Sequence, residues 1–287
     1  MMLGQVDVAK LSPELFRDLR DFIYKNSGIF FPENKLYLLE NRLSTRMKEL
    51  GMPTFKDYFR YLLRHAEQSE ELIKIYSLIT INETYFYRHP AQLDIFHKVL
   101  LPTLVEEKTK AGNNEIKVWS AASSSGEELI TIAMIMHEYF GSSMPRWNLD
   151  LKGTDISERT IQAAQTGSYG KNSFRGRLAP RYLSKYFSSS GDRSIVNQDI
   201  LKMVHYEFLN LNDVGAIRKN RGLDFIFCRN VLIYFDKAMK QKVLRAFYDV
   251  LNPGGYLLLG ETESLHGINS LYKVEHFPGA FVYQKAQ

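Results

Sequence analysis

The 287-residue sequence holds a single cysteine, Cys228, which excludes an internal disulfide framework. A lone thiol fits a reducing compartment, so a cytoplasmic location is expected. No apolar run approaches the ~20 residues that cross a bilayer, and no membrane insertion is expected. The first ten residues, MMLGQVDVAK, lack the apolar core of a secretory signal. Runs of five or more basic residues are also missing. The formal charge of +5 and pI near 9.0 therefore favour an acidic partner only mildly, and a solvated, slightly basic surface is the simpler account. Aromatics interleaved with a basic groove motif, which would stack on bases, are absent, and no nucleic-acid partner is expected. What remains is an ordinary globular composition, 45% hydrophobic and 24% charged, long enough for one large domain or two modest ones.

Two periodicities divide the chain. Over residues 1–85 apolar positions recur at three- and four-residue steps, the signature of helices. Ser12 can cap a helix that starts at Pro13 and carries Leu15, Phe16, Leu19, Phe22 and Ile23 on one stripe. A second runs over 34–50 with Leu36, Leu39, Leu43, Met47 and Leu50 in phase, until Gly51 and Pro53 end it. A third begins at Thr54, with Phe55, Tyr58, Phe59, Leu62 and Leu63 as its buried face, and a fourth covers about Glu70 to Thr80. The expectation is an all-α amino-terminal domain.

From Ile116 onward short apolar runs rich in β-branched and aromatic residues take over: IKVWSA, LDLKGTD, VHYEFLN, LDFIFCRN and GYLLLGE. Helical stretches such as Glu127–Phe140 and Lys237–Leu251 lie between several of them. This alternation predicts an α/β domain over 86–287 with a parallel sheet covered on both faces. Ligands of such sheets sit beyond the carboxyl ends of the strands, where strand order reverses. Asn252-Pro253-Gly254-Gly255 reads as a turn entering the fifth strand. YKVEHF and FVYQK, with Pro278-Gly279 between them, read as an antiparallel pair closing the sheet edge. About 170–203 is basic and serine-rich, with SSSGDRS as a turn between two short strands; it is expected to form an inserted antiparallel β-lobe.

The first strand ends in small residues, from Ser120 and Ala121 to Gly126, before Glu127 and Glu128 open a helix. Small side chains let a ligand approach the backbone, and Gly126 tolerates torsions that other residues resist. Ala121 and Gly126 are therefore cofactor-loop candidates. The loop has one glycine where the dinucleotide fingerprint needs three, and no Gly-Lys-Ser/Thr follows, which excludes a P-loop. Paired acids at a helix start repel a pyrophosphate and suit a sulfonium or an α-amino group; equally, they stabilise the helix dipole. Asp155 ends the second strand, where a carboxylate accepts from ribose hydroxyls or caps the following helix.

The segments NETYFYR (82–88), WSAASSSGEE (119–128) and FCRNVLIYFD (227–236), in this order and spacing, resemble the chemotaxis-receptor methyltransferases. The resemblance covers almost the whole chain. It implies an all-α domain, then a Rossmann-like S-adenosylmethionine-dependent methyltransferase domain with an inserted three-stranded β-subdomain. It further implies methyl transfer to glutamate side chains on the cytoplasmic helical domain of methyl-accepting chemotaxis receptors, giving glutamyl methyl esters and S-adenosylhomocysteine. By the same resemblance Asn82, Thr84 and Arg88 contact the cofactor, Glu127 is the acidic residue of its loop, and Asp155 takes the ribose side. Asn210 and Leu211 lie beside the adenine, with Asn212 an alternative in the LNLN stretch. Arg229 and Asn230 are contacts after the fourth strand, and Tyr234 stands near the transferred methyl. Leu129 and Ile130 occupy positions where the family has proline and an aromatic, a departure expected to alter cofactor packing.

A glutamate carboxylate, with an ordinary pKa of about 4.3, is already an anion at neutral pH and needs no general base. No His–Asp pairing is evident among the seven histidines. The catalytic candidates are Arg88 and Arg229, which can hold carboxylates by paired N–H donors, and Tyr234. Which arginine serves the methionyl carboxylate and which the substrate stays open. Arg42 and Arg46, four residues apart on the second helix, are either a docking face for an acidic helical substrate or a solvated surface. The turn Ser188–Ser194 is short for binding a receptor tether. No metal is expected, and the chain is expected to be a monomer. Two other readings remain: a nucleic-acid or small-molecule methyltransferase, and a non-catalytic S-adenosylmethionine-binding module of a chemosensory-like pathway.

Overall fold

The computed structural model describes residues 8–65, 70–176, 178–268 and 270–286. Most of the amino-terminal stretch considered above for signal character lies outside them. Four helices open the chain: α1 (Pro13–Ser27), α2 (Leu36–Glu49), α3 (Phe55–His65) and α4 (Glu70–Ile79). Ser12 Oγ accepts the Leu15 N–H and Pro13 takes the first helical position, as the sequence signals require. Phe16, Leu19 and Ile23 of α1, Leu39, Leu43 and Met47 of α2, and Phe55, Tyr58 and Leu62 of α3 are buried. Leu63 departs from expectation and is 56% exposed. It lies about 100° around the helix from Leu62, past the edge of the stripe.

A buried ion pair ties the bundle together. The Glu71 carboxylate, 4% exposed, accepts from Arg46 Nε at 3.0 Å, Arg46 Nη2 at 2.8 Å and Tyr58 Oη at 2.9 Å. Burial and the neighbouring carboxylate push the Tyr58 hydroxyl well above its ordinary pKa, so it stays a donor.

Helices α5 (Pro90–Ile95) and α6 (Leu101–Lys110), joined by a π-helical turn at Phe96–Leu100, lead into the sheet. Its parallel strands are β1 (Glu115–Ala121), β2 (Asn148–Asp155), β6 (Val204–Phe208), β7 (Leu223–Cys228) and β8 (Leu251–Leu259). The hairpin β9 (Tyr272–Phe277) and β10 (Ala280–Lys285) closes one edge, with β10 antiparallel to β8. Strand order is β6-β2-β1-β7-β8-β10-β9, so the order reverses between β1 and β7 and opens a crevice at their carboxyl ends. Connections run through α7 (Glu127–Phe140), α8 (Glu158–Thr166), α9 (Pro180–Tyr186), α10 (Gln198–Leu201), α11 (Val214–Arg218) and α12 (Lys237–Val250). A second, antiparallel sheet of β3 (Ser168–Tyr169), β4 (Phe187–Ser190) and β5 (Arg193–Val196), in the order β3-β5-β4, forms the inserted lobe. This is the Rossmann-like α/β architecture with an antiparallel insertion.

Asn252–Gly255 does not form a turn ahead of β8 but a bulge within it. Pairing with β7 steps from Leu223↔Leu251 to Phe225↔Tyr256. Asn252 Nδ2 fills the gap, donating to the Gly222 carbonyl at 3.0 Å and to Asp224 Oδ1 at 2.8 Å.

Two cores flank the sheet. Phe96, Val118, Ile132 and Phe225 lie in one, and Trp119, Ile226, Phe247 and Leu257 in the other. The second core is continuous with Leu19, Leu43 and Met47 of the bundle, so the helical segment packs as part of the α12 face. The approach is close: a Cβ on Gly28, at φ +75°, would stand 2.6 Å from Met239 Cε. Among the described residues no helix is long and apolar enough to cross a membrane.

Removing one partner of a buried ion pair leaves the other charge uncompensated. Arg46→Ala should lower the unfolding free energy by about 3 kcal/mol in chemical denaturation. Arg60→Ala, which among the described residues loses an exposed contact to Asp57, should change it by less than about 0.5 kcal/mol.

Candidate active site

A cavity of about 350 Å³ opens at the carboxyl ends of the parallel strands, at the lower end of the size range of small-molecule sites. Asn82, Thr84 and Arg88 line it from the segment after α4, and Asp155 from the end of β2. Asn210 and Leu211 line it beyond β6, and Arg229, Asn230 and Tyr234 beyond β7. Segments far apart in sequence thus converge on one space.

Three sequence candidates do not line it. Ala121 is still inside β1 and buried; Ala122, at φ +59°, takes the wall position. Gly126 caps α7 at φ +90°, and a Cβ there would stand 2.6 Å from Tyr206 Oη, so packing against β6 demands the glycine. The Glu127 carboxylate is buried away from the cavity and accepts from Ser125 Oγ at 2.7 Å and from Ser173 Oγ, next to the inserted lobe, at 2.8 Å. Its pKa is raised by that burial, with the serine bonds opposing. Glu128, one step of about 100° around the helix, is the acid that faces the cavity. Leu129 and Ile130 are buried in the core beside the sheet and do not line the cavity, so the departure from the family pattern stays out of the cavity's wall.

The electrostatics centre on Arg229, whose side chain is only 2% exposed. Its Nη1 pairs with Glu128 Oε2 at 3.1 Å, and its Nη2 donates to the Arg88 carbonyl. Burial lowers its pKa while Glu128 opposes the shift. Glu128 Oε1 accepts from Ser120 Oγ at 2.7 Å. Asp155 is raised by burial, although its two oxygens accept the Ser124 and Ser157 N–H groups, each at 2.9 Å. It therefore ties down the residue ahead of α8 and faces the cavity at once, with lone pairs left for a ligand's hydroxyls. Asn210 lines the cavity, whereas Asn212 Nδ2 donates to the Lys25 carbonyl at 2.8 Å.

Two further features mark this space. Of the five buried side-chain polar atoms without a partner among the described residues, Asn82 Nδ2, Ser123 Oγ and Arg229 Nε belong to its walls. Buried polar groups are ordinarily bonded, so these suit a polar ligand, and the two N–H donors suit a carboxylate. Among the described residues, the non-glycine residues with positive φ are Tyr87, His89, Ala122, Ser124 and Asn230. Three line the cavity and the other two flank Arg88; such strain, of order 1–3 kcal/mol each, clusters at functional sites.

Several site residues have no motif in the sequence. The buried Glu263 carboxylate accepts four backbone N–H groups: Gly260 and Asn230, both at 2.7 Å, Val231 at 2.9 Å and Ile233 at 3.3 Å. These fix the loop that carries Asn230 and Tyr234. The end of α1 also reaches the site: Ser27 and Ile29 line the cavity, and the Asn26 carbonyl accepts from Asn210 Nδ2 at 2.6 Å. The fold also makes a histidine–carboxylate pair where the sequence shows none, with His89 Nδ1 2.7 Å from Glu261 Oε1. Tyr234 is half-buried; burial raises its pKa, and Arg42 and Arg88 pull it down. Arg42 and Arg46 do not share an outward docking face. Arg46 is held by Glu71 and Glu49, and Arg42 Nη1 turns to the Ile79 carbonyl at the cavity's edge.

Glu263→Gln would set an amide carrying its own N–H donors among four N–H groups. It should lower the unfolding free energy by about 2–3 kcal/mol and weaken S-adenosylhomocysteine binding in calorimetric titration by at least about tenfold.

Residues 14–80 match the CheR methyltransferase all-alpha domain, and residues 82–280 match the CheR methyltransferase SAM binding domain. Chemotaxis protein methyltransferase 2 of Vibrio cholerae is 34% identical over 271 residues, covering 94% of this chain and 92% of that protein. The chemotaxis protein methyltransferase of Borreliella burgdorferi is 36% identical over 251 residues, covering 87% of each. The Escherichia coli protein of that name is 31% identical over 268 residues, covering 92% of this chain and 89% of that protein. With matches to both its helical and its α/β segments, the chain belongs to the CheR methyltransferase family, the S-adenosylmethionine-dependent methyltransferases of chemotaxis.

Proposed function

We propose that this protein transfers the methyl group of S-adenosylmethionine to glutamate side chains on the cytoplasmic helical domains of chemoreceptors, forming γ-glutamyl methyl esters. The observation that carries this reading is the commitment of every acid in the cavity. Glu83 pairs with Arg175 at 2.6 Å, Glu128 with Arg229 at 3.1 Å, and Asp155 accepts the two backbone N–H groups described above. Among the described residues no histidine or lysine lines the cavity. A hydroxyl or ammonium acceptor must shed a proton, and the cavity offers no histidine or lysine among the described residues to take one. A carboxylate acceptor arrives as an anion.

Bound in the cavity, S-adenosylmethionine supplies an electrophilic methyl group on a sulfonium. Asn82 Nδ2 and Arg229 Nε are donors suited to its carboxylate, and Asp155 to its ribose hydroxyls. Glu128 keeps the buried Arg229 compensated. Arg88 is the less buried arginine, with Nη1 donating to the Glu83 carbonyl at 2.8 Å and its guanidinium 5.6 Å from the Tyr85 ring centroid. That leaves Arg88 to orient the incoming carboxylate. Tyr234 and the exposed Ile81 and Ile233 complete the wall, an apolar rim that strips water from the anion as it docks.

Receptor cytoplasmic fragments incubated with methyl-labelled S-adenosylmethionine should acquire label that base releases as methanol. Label that survives base would overturn the ester, and no label on any fragment of a panel would overturn the enzyme assignment. Arg88→Ala should lower kcat/KM for the receptor fragment about 100-fold. Its affinity for S-adenosylhomocysteine should stay within about threefold, because the Arg88 carbonyl that Arg229 uses is retained.

A further inference from the structure

The inserted segment that follows β3 packs against the stretch of chain that carries Arg88. The Phe86 N–H donates to the Ser173 carbonyl at 2.8 Å, and the Phe86 ring lies on Phe174 with centroids 5.1 Å apart. Gly176 comes closer still: a Cβ there would stand 2.5 Å from the Phe86 carbonyl oxygen and 2.7 Å from Tyr85 Cδ2. Between these two contacts sits Arg175. Its Nη2 donates to Glu83 Oε1 at 2.6 Å, and its guanidinium carbon lies 4.7 Å from the Tyr85 ring centroid. The segment is thus anchored on both sides of Arg175, and the guanidinium has a fixed place beside Glu83 and Tyr85.

Arg88 rests on the same two residues. Its Nη1 donates to the Glu83 backbone carbonyl at 2.8 Å, and its guanidinium carbon lies 5.6 Å from the Tyr85 ring centroid. Glu83 therefore meets both arginines, Arg88 through its carbonyl oxygen and Arg175 through its carboxylate. Glu83 and Arg88 both line the cavity, and the Glu83 side chain is 66% exposed. An exposed carboxylate this near a guanidinium of the cavity competes with any ligand carboxylate, unless another cation holds it.

We infer that Arg175 is a positioning residue: it holds the Glu83 carboxylate away from Arg88 and so keeps the Arg88 guanidinium open to the carboxylate it orients. The inference rests on the role proposed above for Arg88. Without the Arg175 side chain, Glu83 keeps its charge beside an arginine already bonded to its carbonyl. A carboxylate on the same chain stands at high effective concentration and occupies that guanidinium ahead of an incoming acceptor. Exposed ion pairs are weak, so the effect is graded: the productive arrangement is less populated, and the site is not lost. The donors suited to the cofactor carboxylate, Asn82 Nδ2 and Arg229 Nε, take no part in this exchange. Ser173 and Gly176 keep the backbone of the segment in place when Arg175 is cut back.

The test is steady-state methyl transfer to a receptor cytoplasmic fragment by variants of the full chain. Arg175→Ala should lower kcat/KM for the fragment about fivefold, the worth of one exposed ion pair formed by the released Glu83. Adding Glu83→Gln, which removes the competing charge, should bring kcat/KM back to within about twofold of wild type. In an Arg88→Ala background the Arg175 change should cost less than about twofold, since the group it protects is gone. An unimpaired Arg175→Ala beside an active wild type would overturn the inference. So would a loss that Glu83→Gln does not repair, which is what a merely structural role predicts, or a loss undiminished without Arg88. Titration with S-adenosylhomocysteine separates the inference from the role of Arg88 beneath it. An affinity unchanged in Arg175→Ala supports both. A loss of that affinity, repaired by Glu83→Gln, supports the inference and moves Arg88 from the acceptor to the cofactor carboxylate. A wild type that transfers nothing, with affinities equal across the variants, overturns both.

Discussion

Four backbone N–H groups point at one carboxylate, that of Glu263, and one wall of the cavity depends on this. The loop leaving β7 carries Arg229, Asn230 and Tyr234 in a conformation that places Asn230 at positive φ, where an unsupported chain would not stay. A buried carboxylate with four donors is a strong local restraint, because each bond to a charged acceptor is stronger than a neutral one. Arg229 is then fixed from the other side by Glu128 and the Arg88 carbonyl. The cavity is therefore a set of buried charges, each balanced within the protein, with a few donors left over for a ligand.

The amino-terminal helices complete that cavity. Ser27 and Ile29 are part of its wall, and Asn26 holds Asn210. The Phe30 N–H donates to the Tyr234 carbonyl at 2.9 Å, and Tyr24 Oη reaches Asp236 at 3.0 Å. Because the bundle shares a core with α12, a change in its packing reaches the Tyr234 loop directly. Arg42, at the edge of the cavity beside Ile79, acts on Tyr234 as a nearby charge rather than as part of an outward docking patch.

Much of this was legible in the residues, for identifiable reasons. Helical stripes and strand runs follow from burial on one or both faces, and Asp155 and Arg88 stand in segments whose pattern is local. Phase was harder: adjacent Glu127 and Glu128 look alike in sequence, yet a helix turns one toward Ser173 and the other toward Arg229. Glu263 and His89 carry no motif because their partners are distant in the chain, 33 residues for Glu263–Asn230 and 141 for His89–Asn230. Arg46 read as surface charge because its partner Glu71 is 25 residues away on another helix. The strain at Ala122 and Tyr87 left no trace either, since neither residue type favours positive φ.

The proposed reaction requires an acceptor that reacts as an anion without a general base. The most direct measurement is kcat for methyl transfer to a receptor fragment, with both substrates saturating, from about pH 6 to pH 8.5. A base-free reaction predicts a kcat that stays level across this range. A tenfold rise per pH unit toward a plateau would reveal a group that must lose a proton, and would contradict it.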